Sequence, residues 1–470
     1  KALITAKSLE KEHPDNPVIQ NLIGGIYLNK NDASNARTSF EKALSLQPTY
    51  FPAVVNLAQL DLQEKKPDAA KKRFEVILEK DKKNIEAMTA LSALASSQGQ
   101  NKEATSWLER SQAENPDALQ SNARLAAHYL RSGEKQKSLI LAKKLQATYP
   151  RDPDILDLLS QAQFANDDMV GALESTNKLV AMLPESALAQ FRLASIQVAM
   201  QNLPAASDAL KKALALKPDY LDAKLAQAVL EARKENYEGA LAISRQIQKQ
   251  HQKSPMGYIV EGDLLMKQNP ELAVKAYEHA LALDKNQSSL MAKLHASLTQ
   301  VGKGKEANAR LHQWLKEHPD DASIRMYLAE SYLVDRQFKS AIEQYQILLR
   351  QNPKYVPALN NLATAYQQEK NPLALEYAEK AYQLGPDSPA ILDTLGWILV
   401  EQGNVTRGLP LLQKANSLAP EAMEIRYHLV LGLIKSGDKV KARKELEQLL
   451  ATGRNFTHIN DAKALLAGMQ

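Results

Sequence analysis

The stretch YLAESYLVDRQFKSAIEQYQILLRQNPKY, Tyr327–Tyr355, decides the fold of this chain. It holds two segments with apolar residues at helical spacing, a polar turn between them and a proline near the end, which predicts two successive helices. The same pattern returns in TLGWILVEQGNVTRGLPLLQKANSLAPEA, Thr394–Ala422. One helix pair cannot bury its apolar face alone, so a recurring pair predicts a stack of repeats.

Prolines that follow the second helices give the length of the repeat. Their steps are 34 residues or close multiples of it. They are Pro14, Pro48, Pro116, Pro150, Pro184, Pro218, Pro319, Pro353, Pro386 and Pro420. This spacing predicts thirteen units from Pro17 to Phe456, with the units that end at Gln287 and Ser388 one residue short. No segment has the pattern of a strand bounded by hairpin turns.

Small residues recur at two positions of the unit and fix its register. The eighth position is occupied by Gly24, Ala58, Ser92, Ala126, Ser160, Ala194, Ala228, Gly262, His295, Ala329, Ala363, Gly396 and Val430. The twentieth is occupied by Ala36, Ala70, Ala104, Ser138, Ala172, Ala206, Ala240, Ala273, Ala307, Ala341, Ala374, Gly408 and Ala442. Small residues let two helix axes approach closely, so we expect the two helices of each pair to cross at these positions.

The ends of the chain continue the same register. Ala2 falls in the twentieth column of a preceding unit, so residues 1–16 are interpreted as the second helix of a truncated repeat. Residues 17–456 are expected to form one continuous solenoid. The segment INDAKALLAGMQ, within 457–470, predicts a capping helix over the last repeat.

The small–aromatic–alanine–proline columns resemble the tetratricopeptide repeat (TPR), and the resemblance covers essentially the whole chain. It implies an all-α fold, an α-solenoid of about thirteen helix pairs wound as a right-handed superhelix. It also implies that the first helix of each pair lines the concave groove.

Few residues point to catalysis or to a bound cofactor. The chain has no cysteine and its nine histidines form no HExxH motif, which leaves no recognisable metal site. In GKGKE, 302–306, Thr299 and Glu306 replace residues that a phosphate loop needs. The 59 basic and 54 acidic residues nearly balance, which argues against a nucleic-acid partner. We therefore expect no enzyme activity, no catalytic residue, no metal and no cofactor.

Binding is the capacity that remains. In the TPR family, positions 2, 5, 9, 12 and 13 of each unit face the groove. Applied to this chain, that rule selects Phe164, Phe191, Leu225, Ile259, Met266, Met326, Asn360, Gln367, Trp397 and Tyr427. Aromatic and apolar side chains in a groove suit an extended peptide or a sugar chain. The alternative is that individual members pack between neighbouring first helices. A carboxylate clamp is not expected, because Asn56, Asn360 and Asn361 lack the matching lysines.

The last two repeats carry a narrower resemblance. The phrases AILDTLGWILVEQGN, EIRYHLVLGLIKSGD and ARKELEQLL are similar to the C-terminal region of bacterial TPR lipoproteins of exosortase (PEP-CTERM) and exopolysaccharide systems. This resemblance implies a periplasmic scaffold, held at the outer membrane only by an N-terminal lipid anchor that is absent from this chain. The alternatives are a polysaccharide-binding component of an export machine and a cytoplasmic TPR regulator.

Overall fold

The computed structural model describes residues 2–469 of the protein. These residues form twenty-eight α-helices and no strand, so the prediction of an all-α repeat fold is confirmed. Lys1 and Gln470, which belong to the two predicted terminal segments, lie outside the described residues. The chain divides into two compact units, one ending at Leu230 and the other beginning at Glu231.

The first unit contains α1 Ala2–Glu12, α2 Pro17–Leu28, α3 Ala33–Leu46, α4 Phe51–Gln63, α5 Pro67–Lys80, α6 Ile85–Ser97, α7 Asn101–Glu114, α8 Leu119–Arg131, α9 Lys135–Thr148, α10 Pro153–Ala165, α11 Met169–Met182, α12 Ala187–Ala199 and α13 Leu203–Leu216. Helix α14, Leu221–Arg233, contains the boundary. The second unit continues with α15 Tyr237–Gln250, α16 Met256–Leu265, α17 Pro270–Leu283, α18 Ser288–Gln300, α19 Gly304–Glu317, α20 Ala322–Val334, α21 Phe338–Gln351, α22 Val356–Gln368, α23 Leu373–Leu384, α24 Pro389–Glu401, α25 Val405–Leu418, α26 Met423–Lys435, α27 Lys439–Ala451 and α28 Ile459–Ala467.

Thirteen helix pairs lie between α1 and α28 among the described residues, with even-numbered first helices and odd-numbered second helices. Within each unit the helices of a pair pack on each other, and a second helix also packs on the next first helix, as α3 does on α4. Neighbouring first helices touch directly, as α8 and α10 do in the first unit and α24 and α26 in the second.

The turn inside a pair has the same backbone conformation almost everywhere. Twelve of the thirteen pairs place the fifteenth residue of the unit in the left-handed region, with φ between 52° and 86°. These residues are Asn31, Lys65, Gly99, Gly133, Asp167, Gln201, Glu235, Gly302, Arg336, Lys370, Gly403 and Gly437. Five of the twelve are glycines, for example Gly403, and glycine adopts this conformation at a helix end without strain.

The turn of the eighth pair, between α16 and α17, differs because its repeat is one residue short. Helix α16 has only 10 residues, and Asn269 caps the following helix directly with its side chain on the Leu272 N–H. In the other short repeat, which ends at Ser388, the shortened helix is the second one, α23, which has 12 residues. One missing residue is thus absorbed at a helix end in both repeats, which leaves the following register intact.

The predicted close crossing is present in the helix pairs of each unit. The residues at the twentieth position are all buried, from Ala36 to Ala442, both of which have 0% exposure. At Ser138 the side-chain hydroxyl donates to the Ala126 carbonyl of the paired helix at 2.8 Å. This hydrogen bond joins the twentieth position to the eighth, as the register requires.

Helix α28 packs on α27 at the end of the second unit. Ala462 is fully buried there, and Phe456 is buried in the same apolar cluster just before the helix begins. The apolar surface of the last repeat is therefore covered by this helix and by the segment that leads into it.

Candidate functional site

The candidate site of each compact unit is its first-helix face, which we define as positions 2, 5, 6, 9, 12 and 13 of the even-numbered helices, α2–α14 in the first unit and α16–α26 in the second. Side chains at the sixth position of a first helix cross to the fifth or ninth position of the preceding one. The pairs are Asn56 with Asn21 at 2.9 Å, Arg192 with Asp157 at 3.1 Å, Lys293 with Asp263, Tyr327 with the Ala292 carbonyl at 3.4 Å, Asn361 with Glu330 at 3.5 Å and His428 with Asp393 at 2.9 Å. These polar contacts, which we call the polar ladder, hold neighbouring first helices in register.

Sequence reasoning did not select the sixth position, although the sequence contains a usable signal. Partners in the ladder are about one repeat apart and are chemically complementary, as Asp157 and Arg192 are. Asp393 and His428 follow the same rule. A search for complementary side chains at a spacing of one repeat would have found these two pairs.

In the first unit, Phe164, Phe191 and Leu225 lie in different environments. Phe164 is exposed at 37%. Phe191 is half-buried, and its ring packs on the Tyr220 ring with 5.3 Å between centroids. Leu225 is half-buried. Phe164 therefore offers the most surface, whereas Phe191 is partly used in packing.

Three of the residues selected in the second unit are buried. Ile259 and Met326 are each 8% exposed, and Tyr427 is 7% exposed. All three belong to apolar clusters between helices, so packing between helices accounts for these side chains. Met266 is half-buried against the cluster that contains Ile259.

Asn360 and Gln367 lie on α22 and are half-buried. The Gln367 amide donates to the Glu401 carboxylate of α24 at 2.5 Å. The side-chain oxygen of Asn360 is buried and has no hydrogen-bond partner among the described residues. This part of the first-helix face is rich in amides and carries no cation from α22.

Trp397 is half-buried and is held by its neighbours. The His428 imidazole stacks on its indole, with 5.0 Å between centroids and 4° between ring planes. The Nδ1 atom of His428 lies 2.9 and 3.0 Å from the two oxygens of Asp393, which is 9% exposed. The Asp393 carboxylate orients the imidazole, and the imidazole orients the indole.

A second stacked pair of rings, Tyr427 of α26 and His458 just before α28, lies further along the chain. His458 lies parallel to the Tyr427 ring at 5.3 Å, and its Nδ1 atom is 3.1 Å from the Asp461 carboxylate. Phe456 packs on the other part of Tyr427 at 6.0 Å. The second unit thus carries two aspartate–histidine–aromatic arrangements near its end.

These arrangements have few of the features of a catalytic centre. Among residues 2–469, no group of three or more acidic or histidine side chains is placed to hold a metal ion. In the same residues no serine or threonine hydroxyl is hydrogen-bonded to His428, so its aspartate pair lacks the nucleophile of an acyl-transfer triad. None of the described helices is both long and apolar enough to span a bilayer.

Models of the tetratricopeptide repeat match residues 27–95 and 399–466 in one case, and 191–255, 296–354 and 328–389 in the other. Together these segments cover more than half of the chain. The chain belongs to the tetratricopeptide-repeat family. Tetratricopeptide repeats indicate a protein-protein interaction scaffold.

Two curated relatives are similar over part of this TPR chain. A TPR repeat-containing protein of Pseudomonas aeruginosa is 30% identical over 122 residues, which is 25% of this chain and 20% of that protein. The general transcriptional corepressor ssn6 of Schizosaccharomyces pombe is 28% identical over 132 residues, 27% of this chain and 12% of that protein. The chain therefore spans only a small share of either relative.

Among solved structures, the crystal structure of yeast Tom70 aligns with 92% of this chain and 97% of that chain, with 14% sequence identity and a TM-score of 0.45.

Proposed function

We propose that this TPR protein is a non-enzymatic scaffold that binds an extended segment of a partner protein along its first-helix face. The observation that carries the proposal is the fixed indole of Trp397. A large aromatic side chain, partly exposed and held by neighbours, contributes to binding without a large loss of side-chain entropy. Such residues supply much of the energy of protein interfaces.

An extended partner suits the repetition of the face. Six pairs of neighbouring first helices carry a polar contact at the same place on the helix. Within one unit, a peptide that runs across successive first helices meets a similar surface at each step. Affinity can then come from many modest contacts, with an aromatic residue as the anchor, Phe164 in the first unit or Trp397 in the second.

The cellular setting is a further part of the proposal. The similarity of the last repeats to lipoproteins of exosortase and exopolysaccharide systems supports a role in polymer export or PEP-CTERM protein sorting, in the bacterial periplasm. Genes for polysaccharide synthesis beside this gene would favour that setting. Neighbouring genes for a cytoplasmic enzyme would favour the alternative of a cytoplasmic regulator.

The test is the affinity of Trp397→Ala for peptides selected on the full chain. We expect at least a tenfold loss, about 1.4 kcal/mol, with helicity unchanged by circular dichroism. Trp107 is a matched control because it is also half-buried but lies on second helix α7, with its indole N–H donating to Glu103 at 3.4 Å. Trp107→Ala should leave the dissociation constant unchanged.

Two results would contradict the proposal. In one, Trp397→Ala lowers the melting temperature sharply while binding per folded molecule stays the same, so that the indole acts as core filler. In the other, Trp107→Ala weakens binding as much as Trp397→Ala does, so that the first-helix face has no special part.

Direct polysaccharide binding is the second candidate function, since indole rings also stack on sugars. His428 covers one face of Trp397, which leaves one face for a sugar ring. A glycan array with wild type and Trp397→Ala separates the two functions. Saccharide binding that is lost in the variant, together with no selected peptide, would favour the sugar.

A further inference from the structure

The first-helix face between α20 and α24 is acidic, although the chain as a whole is slightly basic. Helices α22 and α24 contain no lysine or arginine. Over the same span the face carries two exposed carboxylates, Glu330 and Glu401. Helix α20 has one arginine, Arg325, and it is buried at 8% exposure. A partner that crosses these three first helices therefore meets two exposed carboxylates and no exposed lysine or arginine of the helices themselves.

Glu330 is the exception in the polar ladder. Elsewhere in the second unit the ladder carboxylates are matched by a basic residue of the next first helix, Asp263 by Lys293 and Asp393 by His428. Glu330 faces the neutral amide of Asn361 instead, at 3.5 Å. It forms no ion pair in residues 2–469. Partial removal of water by the surrounding protein raises its pKa, as expected for a carboxyl without a cation beside it.

A second unsatisfied group lies beneath Glu330. Tyr345 on α21 is fully buried, and its hydroxyl has no hydrogen-bond partner among the described residues. Burial raises the pKa of this hydroxyl, whereas the Asn361 amide makes only a loose donor contact that lowers the pKa, and the Glu330 carboxylate raises it. Buried polar groups are normally well hydrogen-bonded. Asn361 is thus shared between Glu330 and Tyr345 and satisfies neither of them well.

We propose that Glu330 receives a lysine or arginine side chain of an extended partner segment. The inference rests on the proposed peptide-binding function and narrows it to a basic partner. The incoming cation donates to the Glu330 carboxylate and replaces the weak contact from Asn361. The Asn361 amide N–H is then free to donate fully to the Tyr345 hydroxyl oxygen, which completes the network.

Glu401 supplies a second carboxylate for a cationic side chain of the partner. It receives a hydrogen bond from Gln367 and forms no ion pair in the described part of the chain. Lys370 lines the cleft beside it, so this point is the weaker of the two. Glu330 and Glu401 lie two first helices apart, about 20 Å at usual helix spacing. An extended chain covers that distance in roughly six residues, which predicts basic residues at that separation in the partner.

The experiment uses a displayed library of random peptides of about twelve residues, long enough to cross four first helices when extended. Selection is made on the full chain, and the affinity of selected peptides is then measured for variants. Glu330→Gln keeps the size of the side chain and removes its charge. Glu343→Gln is the matched control, because Glu343 is an exposed carboxylate of the same repeat on second helix α21.

We expect the selected peptides to be enriched in lysine and arginine and to bind Glu330→Gln at least tenfold more weakly. Affinity for Glu343→Gln should be unchanged. Added salt should weaken binding to wild type more than binding to Glu330→Gln, since salt screens an exposed ion pair. Circular dichroism confirms that each variant is folded.

The failures can be told apart. If selected peptides are acidic or uncharged, or ignore Glu330→Gln, yet lose affinity for Trp397→Ala, the inference is overturned and the peptide-binding function stands. If selected peptides ignore both variants, they bind elsewhere and both statements fail. If selection recovers no peptide at all, the proposed function fails together with the inference.

Discussion

The crossing of α24 and α25 gives the sharpest test of the packing. It is the only pair with glycine at both small positions, Gly396 and Gly408. A Cβ at position 408 would lie 2.6 Å from the Gly396 carbonyl oxygen and 2.8 Å from a Val400 methyl carbon. Overpacking of this kind costs about 1–3 kcal/mol. Alanine regains about 1 kcal/mol of helix propensity over glycine. Gly408→Ala should therefore lower the free energy of unfolding by roughly 1 kcal/mol.

Gly25 is the matched control because it is also a glycine inside a helix, with no heavy atom within 4 Å of a Cβ placed there. Gly25→Ala should raise stability by about 0.5–1 kcal/mol. Both variants are measured by guanidinium unfolding followed by circular dichroism. The sign of the effect should differ between them. If Gly408→Ala stabilises the protein as Gly25→Ala does, the close approach of α24 and α25 is wrong.

Three other predictions follow from packing, backbone and charge. Ala206→Leu, at a fully buried crossing, should cost about 1–3 kcal/mol in the same assay; an unchanged midpoint would mean that the register is wrong. Arg336→Gly should raise the free energy of unfolding by up to about 1 kcal/mol, because Arg336 has a φ of 58° that glycine adopts without strain. Asp61→Asn should cost about 2–3 kcal/mol at pH 7, because Asp61 is 2% exposed between Arg37 and Arg73 and the two cations would lose their counter-charge. Burial opposes ionisation of Asp61, but hydrogen bonds from the two arginines outweigh it and lower its pKa. Its contribution is thus present above the unfolded pKa and is lost as pH falls through the folded pKa; a wild-type and variant difference that stays constant down to pH ~3 would contradict this assignment.

The repeat fold was predictable because close packing of the paired helices selects small residues at fixed positions of the unit. Small side chains occupy eleven of the thirteen eighth positions and all thirteen twentieth positions, where the paired helices cross, so these two columns could be identified without a structure. The backbone conformation of the turns was harder to predict from the sequence. Seven of the left-handed residues are not glycine, among them Lys65 and Arg336, and their conformation is imposed by the packed helices on either side. Local preference alone would not have selected them.

The site was less predictable than the fold, because a residue's position on a first helix does not determine its exposure. Met326 and Trp397 were selected by the same rule, yet Met326 is 8% exposed whereas Trp397 is half-buried on the face. The difference depends on which side chains of the neighbouring helices fill the space. Tyr427 shows the same effect, since Phe456 and His458, from the segment after the last pair, cover its ring.

Different positions of the repeat serve packing within a helix pair and contact between neighbouring first helices. The crossing residues at the eighth and twentieth positions fix the helix pairs, whereas the fifth, sixth and ninth positions link neighbouring first helices and belong to the face on which we propose that a partner binds. Glu330 belongs to the second group, and its ladder partner Asn361 adds little electrostatic attraction across α20 and α22. A charge change at Glu330 can therefore alter partner choice while the crossing at Ala329 and Ala341, both 0% exposed, keeps the pair intact. Positions that link repeats through weak neutral contacts are thus where the face of this scaffold can be specialised at the smallest cost to its stability.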